Sequence, residues 1–313
     1  MALQARPLVL RVNEMDGLES TRGDLKGTGG TFLNIAHRGD SSRAPENTLA
    51  AFEAGVEAGA SAVELDLRCT ADGHVVVMHD ESVDRTTDGT GQLEQLTLEQ
   101  VHKLDAGGWF DERFAGEGVP TLAEVFDRMV DRVPLVLHIK EAGCGIERAV
   151  IEEVNRRGVV DRVSVSSDRR GVLESFHRLA PDLTTTWIAW FRDWRWWMWY
   201  VAGRVRRLQA RRVAPPASQV TEAMVDYFHG RGIVVRAWGV GRDETLAARL
   251  ISLGVDGMTF DDPRRLTELL NTAASTAAST AASTAASTAA DTAADTAADT
   301  AADTAATTDK DSE

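Results

Sequence analysis

The sequence predicts an α/β fold, a (β/α)8 TIM barrel with a small insertion after its third strand and a disordered C-terminal tail. Three observations carry that expectation. Short apolar runs alternate with segments of helical period from residue 33 to residue 260, the pattern of a parallel sheet covered by helices. The first three runs end in, or carry, charged groups: His37-Arg38-Gly39, then Glu64 and Asp66, then His79-Asp80. A barrel keeps its chemistry at the carboxyl ends of its strands, which is where His37, Asp66 and His79 fall. From residue 271 the chain becomes a tetrapeptide repeat, Ser-Thr-Ala-Ala and then Asp-Thr-Ala-Ala, with no large apolar side chain to bury against the cost of ordering. The expected organisation is an N-terminal extension at 1–30, a barrel domain at 31–270 and a low-complexity tail at 271–313.

Residues 1–30 mix Arg, Asp, Gly and Thr and read as a loosely held extension with one short strand at 8–12. The first barrel strand is 33–36. Leu49, Phe52 and Val56 follow helical spacing, with Gly59 as the stop and Thr48 as the cap. Asn47 is read as part of that capping and not as a ligand. A second strand at 62–67 meets a third at 75–78 through the turn Ala71-Asp72-Gly73. A polar loop at 84–91 and a helix at 97–104 then lead to Thr121, the cap of a helix over 122–129. Strands at 135–139, 162–166, 184–188, a short region at Val213, 233–240 and 257–260 follow, separated by helices at 146–156, 172–179, 222–230 and 244–253. That makes nine strand candidates for eight places, and the Val213 region is taken as the surplus one.

A chain of 313 residues, 43% of them hydrophobic, is long enough to close one large barrel. Its formal net charge of -14 speaks against a general nucleic-acid binder. The tail contributes about six of those negative charges. Cys69 and Cys144 form neither a disulfide framework nor a metal-ligand spacing, and are expected to be buried free thiols. No basic leader and no run of membrane-spanning length is visible, so a soluble cytoplasmic protein is the expectation.

Glu64 and Asp66 lie two apart on a strand and therefore point to one side, where they repel unless a cation lies between them. A hard divalent ion is the simplest remedy. Two strand-end imidazoles suit acid–base work near neutral pH, and the fork of Arg38 suits phosphate oxygens. Together these parts read as phosphoryl-ester hydrolysis.

The fragments Ala36-His37-Arg38-Gly39, Ala44-Pro45-Glu46-Asn47-Thr48, Glu64-Leu65-Asp66 and His79-Asp80, in this order, resemble the signature of the glycerophosphodiester phosphodiesterase family. The resemblance implies metal-dependent hydrolysis of glycerophosphodiesters to glycerol 3-phosphate and an alcohol. It implies His37 and His79 as the acid–base pair, Arg38 at the phosphate, and Glu64 and Asp66 as metal ligands. Glu46 is implied at the metal site, as a ligand or as a brace. Lys140 would face the phosphate or an acid, Trp238 would lie near the substrate, and Asp261-Asp262-Pro263 matches a closing turn that looks structural. The implied cofactor is Mg or Ca.

The fourth strand departs from the family. Where the family has Glu-x-Lys this chain has His138-Ile139-Lys140. An imidazole ligand at His138 would turn preference toward Mn, Co or Zn. Glu141 reaching round, or fewer protein ligands, are the alternatives.

Residues 187–199, from Trp187 to Trp199, hold six of the eight tryptophans, and Arg204, Arg206, Arg207, Arg211 and Arg212 follow. Tryptophan with arginine suits a lipid headgroup interface, so a lid making peripheral membrane contact is one reading. Packing on the barrel and a dimer contact are the others. The expected partner is a small-molecule or lysolipid phosphodiester. A lysophospholipase D-like activity and a catalytically impaired phospholipid-binding barrel stand as the alternative functions.

Overall fold

The computed structural model describes residues 32–190 and 210–280, together with 201, 203–205, 207, 208 and 283. Of the described residues, those at 32–270 belong to one compact unit and those from 271 onward to another.

The larger unit is a closed barrel. Its strands are β1 (Leu33–His37), β2 (Ala62–Cys69), β3 (Val75–Val77), β4 (Leu135–Ile139), β5 (Val163–Ser167), β6 (Thr184–Ile188), β7 (Arg212–Ala214), β8 (Val234–Ala237) and β9 (Gly257–Phe260). The hydrogen-bonded order is β1-β9-β8-β7-β6-β5-β4-β2, and β1 pairs with β2 to complete a parallel ring of eight. Buried on both faces, such strands must be apolar nearly throughout, and Val63, Leu65, Leu67, Leu135, Leu137, Ile139, Val163 and Val165 join one continuous core beneath the surrounding helices.

The surplus strand is β3, and the Val213 region is a true barrel stave. Val213 lies at the centre of β7, which pairs in parallel with both β6 and β8. By contrast β3 runs antiparallel to β2, with Leu67 opposite Val77 and Cys69 opposite Val75. The reason is in the connection: a tight turn at Ala71-Asp72-Gly73 can only reverse the chain, whereas parallel strands need a crossover of about a dozen residues or more.

The insertion that follows β3 builds a small core of its own from Val76, Met78, Val83, Leu93, Val101, Ala106 and Val119. Its helices begin where the hydroxyls fall. Thr97 with Gln100, and Thr121 with Glu124, make capping boxes at the helices Leu98–Val101 and Leu122–Met129. Thr48 caps Leu49–Glu57 by accepting from the Ala51 amide.

Two further expectations are corrected. Cys69 and Cys144 are joined in a disulfide that ties the end of β2 to the loop after β4. A crosslink spanning 75 residues is worth about 4 kcal/mol on chain-entropy grounds. Such bonds persist in oxidising compartments, which weighs against the cytoplasmic expectation. The tail is not wholly irregular either, because residues 271–280 are helical. Threonine tolerates the helix there by bonding back one turn, Thr276 Oγ1 donating to the Thr272 carbonyl at 3.0 Å and Thr280 Oγ1 to the Thr276 carbonyl at 3.0 Å. The rest of the repeat and the extension at 1–30 lie outside the described residues. Among the described residues no helix is long and apolar enough to cross a membrane.

Candidate active site

Strand register brings the predicted acids and imidazoles together. His37 is paired with Glu64 across β1 and β2, and Asp66 with His138 across β2 and β4. Alternation along β2 then turns Glu64 and Asp66 to the same side, and both are almost wholly buried, at 4% and 1% exposure. His138 Nδ1 lies 3.1 Å from Asp66 Oδ1 and 3.6 Å from Glu64 Oε1.

Asp66 is the most heavily partnered group of the site. Besides His138 it meets Lys140 Nζ at 3.3 Å and Arg38 Nε at 3.2 Å. Asn47 brackets it, its Nδ2 donating to Oδ2 at 3.0 Å while its Oδ1 accepts from the Asp66 amide at 3.2 Å. Burial alone would raise the Asp66 pKa, but His138, Lys140 and Arg38 hold it well below the usual carboxylate range. Burial likewise opposes charge on His138, and Asp66 and Glu64 overcome it, so the imidazole is drawn above its ordinary value.

Backbone shape is part of this assembly. Arg38 and Asn47 are the two non-glycine residues with positive φ among the described residues, at 58° and 61°. They are tied together by the Asn47 amide, which donates to the Arg38 carbonyl at 3.0 Å. Left-handed backbone at such residues costs on the order of 1–3 kcal/mol and persists where its surroundings enforce it. Here it lets Arg38 N donate to Glu64 Oε2 at 3.1 Å and turns the Asn47 amide onto Asp66. Asn47 is thus a brace for the carboxylate, not a helix cap. Gly39 is needed next to Arg38 because a Cβ there would lie 2.4 Å from the Ala51 carbonyl carbon.

Each histidine is held from behind. His37 Nδ1 is 2.7 Å from Asp261 Oδ1, and His79 Nδ1 is 2.6 Å from Asp80 Oδ1. A carboxylate on Nδ1 fixes the tautomer and leaves Nε2 for chemistry. His79 is drawn below its ordinary pKa, first by burial and then by the charge of Arg38, against the pull of Asp66 and Asp80. Asp80 itself is lowered to about 2, chiefly by its bond from Arg85.

Arg85 is a residue that sequence reasoning passes over inside a polar loop. Its Nε donates to Asp80 at 2.6 Å, and its Nη1 and Nη2 make a fork to Glu46, each at 2.8 Å. Glu46 also receives Arg38 Nη1 at 2.7 Å. Glu46 is therefore clamped between two guanidinium groups and stands outside the cluster of Glu64, Asp66 and His138, whose ligand atoms all lie within 4.8 Å of one another. Asp261, expected only as a structural turn, is the orienting partner of His37. Glu141 does not reach round. It accepts from the Cys69 amide at 2.6 Å and pairs with Arg68 at 3.4 Å.

His37, Arg38, Glu64, Asp66, His79, His138, Lys140 and Trp238 all line one cavity of about 530 Å3. Trp238 meets Trp190 edge to face, centroids 4.4 Å apart, and Trp190 is 64% exposed. Trp187 is buried, and residues 191–199 lie outside the described residues. Two carboxylates and an imidazole, buried and converging, form a mixed oxygen–nitrogen set that fits a divalent metal ion.

A barrel whose mouth gathers buried acids, histidines and basic side chains in one cavity has the makings of a phosphoric ester hydrolase. The Glycerophosphoryl diester phosphodiesterase family matches residues 37–265. The chain is 40% identical over 248 residues to the glycerophosphodiester phosphodiesterase of Caldanaerobacter subterraneus subsp. tengcongensis, covering 76% of this chain and 97% of that one. A solved phosphodiesterase from Oleispira antarctica, in complex with the product sn-glycerol-3-phosphate, superposes with a TM-score of 0.70 at 28% identity, covering 76% of this chain and 96% of that one. A glycerophosphodiester phosphodiesterase from Agrobacterium tumefaciens superposes with a TM-score of 0.65 at 26% identity, covering 75% and 98%. This chain belongs to the glycerophosphodiester phosphodiesterase family.

Proposed function

We infer that this chain hydrolyses glycerophosphodiesters to glycerol 3-phosphate and an alcohol. The observation that carries the reading is the convergence of His37 and His79 on the same cavity wall as Glu64, Asp66, Arg38 and Lys140. Through Nε2, one imidazole takes the proton of the attacking group and the other returns a proton to the departing alcohol oxygen. Burial holds the His79 pKa below the ordinary imidazole value, which suits it to the accepting role. Arg38 and Lys140, already gathered at Asp66, direct their remaining donors at the phosphate oxygens. Glu64, Asp66 and His138 would hold a divalent ion, which when bound would neutralise phosphate charge. Glu46, Asp80, Asp261, Arg85 and Asn47 keep these groups in place.

With an imidazole beside the two carboxylates of the candidate ligand set, Mn, Co or Zn is favoured over Ca or Mg. Purified protein assayed across Mg, Ca, Mn, Co and Zn tests both statements. The expected result is turnover that is strongest with Mn, Co or Zn and moves toward Mg and Ca in His138→Glu. Absence of turnover with every metal, together with lipid binding, would favour the impaired lipid-binding barrel. A lysolipid substrate or peripheral membrane contact is a separate reading, which liposome co-sedimentation of wild type against Trp190→Ala checks.

A further inference from the structure

The acids that line the cavity are Glu64 and Asp66 on β2 and Asp168 after β5. The opposite wall has another character. Arg236 of β8 lines the same cavity and is 4% exposed. It lies in register with Gly257, which is itself level with Leu33, four residues before His37, so it belongs to the inner end of the cavity. Its Nε and Nη1 are buried with no hydrogen-bond partner among the described residues. Asp256 is the carboxylate that acts on it, but Asp256 Oδ2 is taken by the Val235 amide at 2.7 Å and by His229 Nε2 at 2.8 Å.

Two more buried donors line this wall without a partner among the described residues: Thr186 Oγ1, on a residue 3% exposed, and Trp238 Nε1. Burial and the neighbouring Arg212 both press the Arg236 pKa downward. Yet a guanidinium does not surrender its proton in proteins. A buried charge of this kind is costly until an anion meets it. A glycerol or choline group brings hydroxyls or a cation and cannot do so.

We propose that the cavity wall opposite the β2 acids, through Arg236 and Thr186 with Trp238 nearer the mouth, binds a second anionic group, so that the preferred diester carries a carboxylate or phosphate on its alcohol. This rests on the diesterase reading and names the substrate class within it. The scissile phosphate stays with Arg38, Lys140 and the β2 acids, and the alcohol's anion reaches across the cavity. Hydrolysis is unchanged: water adds at phosphorus, one P–O bond breaks, and the alcohol leaves with its anion intact.

The test uses three matched esters of glycerol 3-phosphate, with glycolate, with 2-phosphoethanol, and with glycolamide as the neutral control. Wild-type kcat/KM is expected to favour at least one anionic ester over the amide by tenfold or more. Arg236→Gln should bring that ratio close to one, and Thr186→Val should lower it several-fold. Equal turnover of all three esters by the wild type overturns the proposal while leaving the diesterase reading intact. So does a ratio that survives Arg236→Gln. Turnover of none, with every metal, overturns both. Because the wild-type ratio and Thr186→Val each stand alone, a poorly folding Arg236 variant does not remove the test.

Discussion

The two walls of the cavity differ in how their polar groups are answered. On the wall built from β1, β2, β4 and the insertion, each principal charge has a partner within the protein: His79 with Asp80, Asp80 with Arg85, Arg85 with Glu46, Glu46 with Arg38, and Arg38 with Asp66. On the wall from β6 and β8, Thr186, Arg236 and Trp238 bury donors without partners among the described residues. A nearly saturated network holds its members in one geometry, as proton transfer requires, its exception being Arg38 Nε, which is ion-paired with Asp66 but buried without a hydrogen bond. An unsaturated one waits for a ligand. On the proposed reading, chemistry and recognition fall on opposite sides of one barrel.

The largest expected effect breaks the first wall. His37→Gln and His79→Gln should each lower kcat by roughly 10^2–10^4-fold, the usual range for losing a positioned acid or base. Steady-state assays on glycerophosphodiesters measure it, and a loss under tenfold in both would remove the proton-transfer roles. Next comes Asp66→Asn, which leaves His138, Lys140 and Arg38 without their shared anion. Breaking a buried pair costs about 3–5 kcal/mol, readable as a lowered urea midpoint.

Reducing the disulfide, or replacing both cysteines with serine, should cost about 2–4 kcal/mol in thermal unfolding. Turnover at 25 °C should persist, because the bond lies behind the site. A finer effect concerns Asp80, whose folded pKa of about 2 is lowered chiefly by Arg85. A depressed carboxylate adds stability above its unfolded pKa of about 3.9 and loses it as pH falls toward the folded value. The stability gap between wild type and Arg85→Ala should therefore be constant above about pH 5 and close between about pH 4 and 2. Urea melts at pH 6, 3 and 2 check the sign. Smallest of all, Trp190→Ala should raise KM a few-fold and leave kcat nearly unchanged. Trp190 stands largely in solvent against Trp238.

Much of the saturated wall is legible in the sequence, because strands impose a period of two and charged groups at their ends stand out. Glu64 and Asp66, His37 and His79 emerge that way, as does His138. What escapes depends on contacts distant along the chain. Asp261 is 224 residues from His37, and Arg85 is 39 from Glu46. A polar loop gives no sign of which donor it lends to a carboxylate elsewhere. Arg236 is hidden for another reason: within Val235-Arg236-Ala237-Trp238 it reads as a lone charge in an apolar strand, and only closure of the barrel shows that its donors go unanswered. The ring of eight follows from the alternation of strands and helices, and the surplus stave is decided by a turn whose length alone excludes a parallel partner.

That misplaced stave has a consequence for heat. His79 hangs from β3 and its small satellite core, a subassembly the ring does not require for closure. Local opening there would carry one imidazole out of reach of the other while all eight staves remain zipped. Warming should therefore silence the enzyme several degrees before its calorimetric melt, and cooling should restore it without any refolding of the barrel.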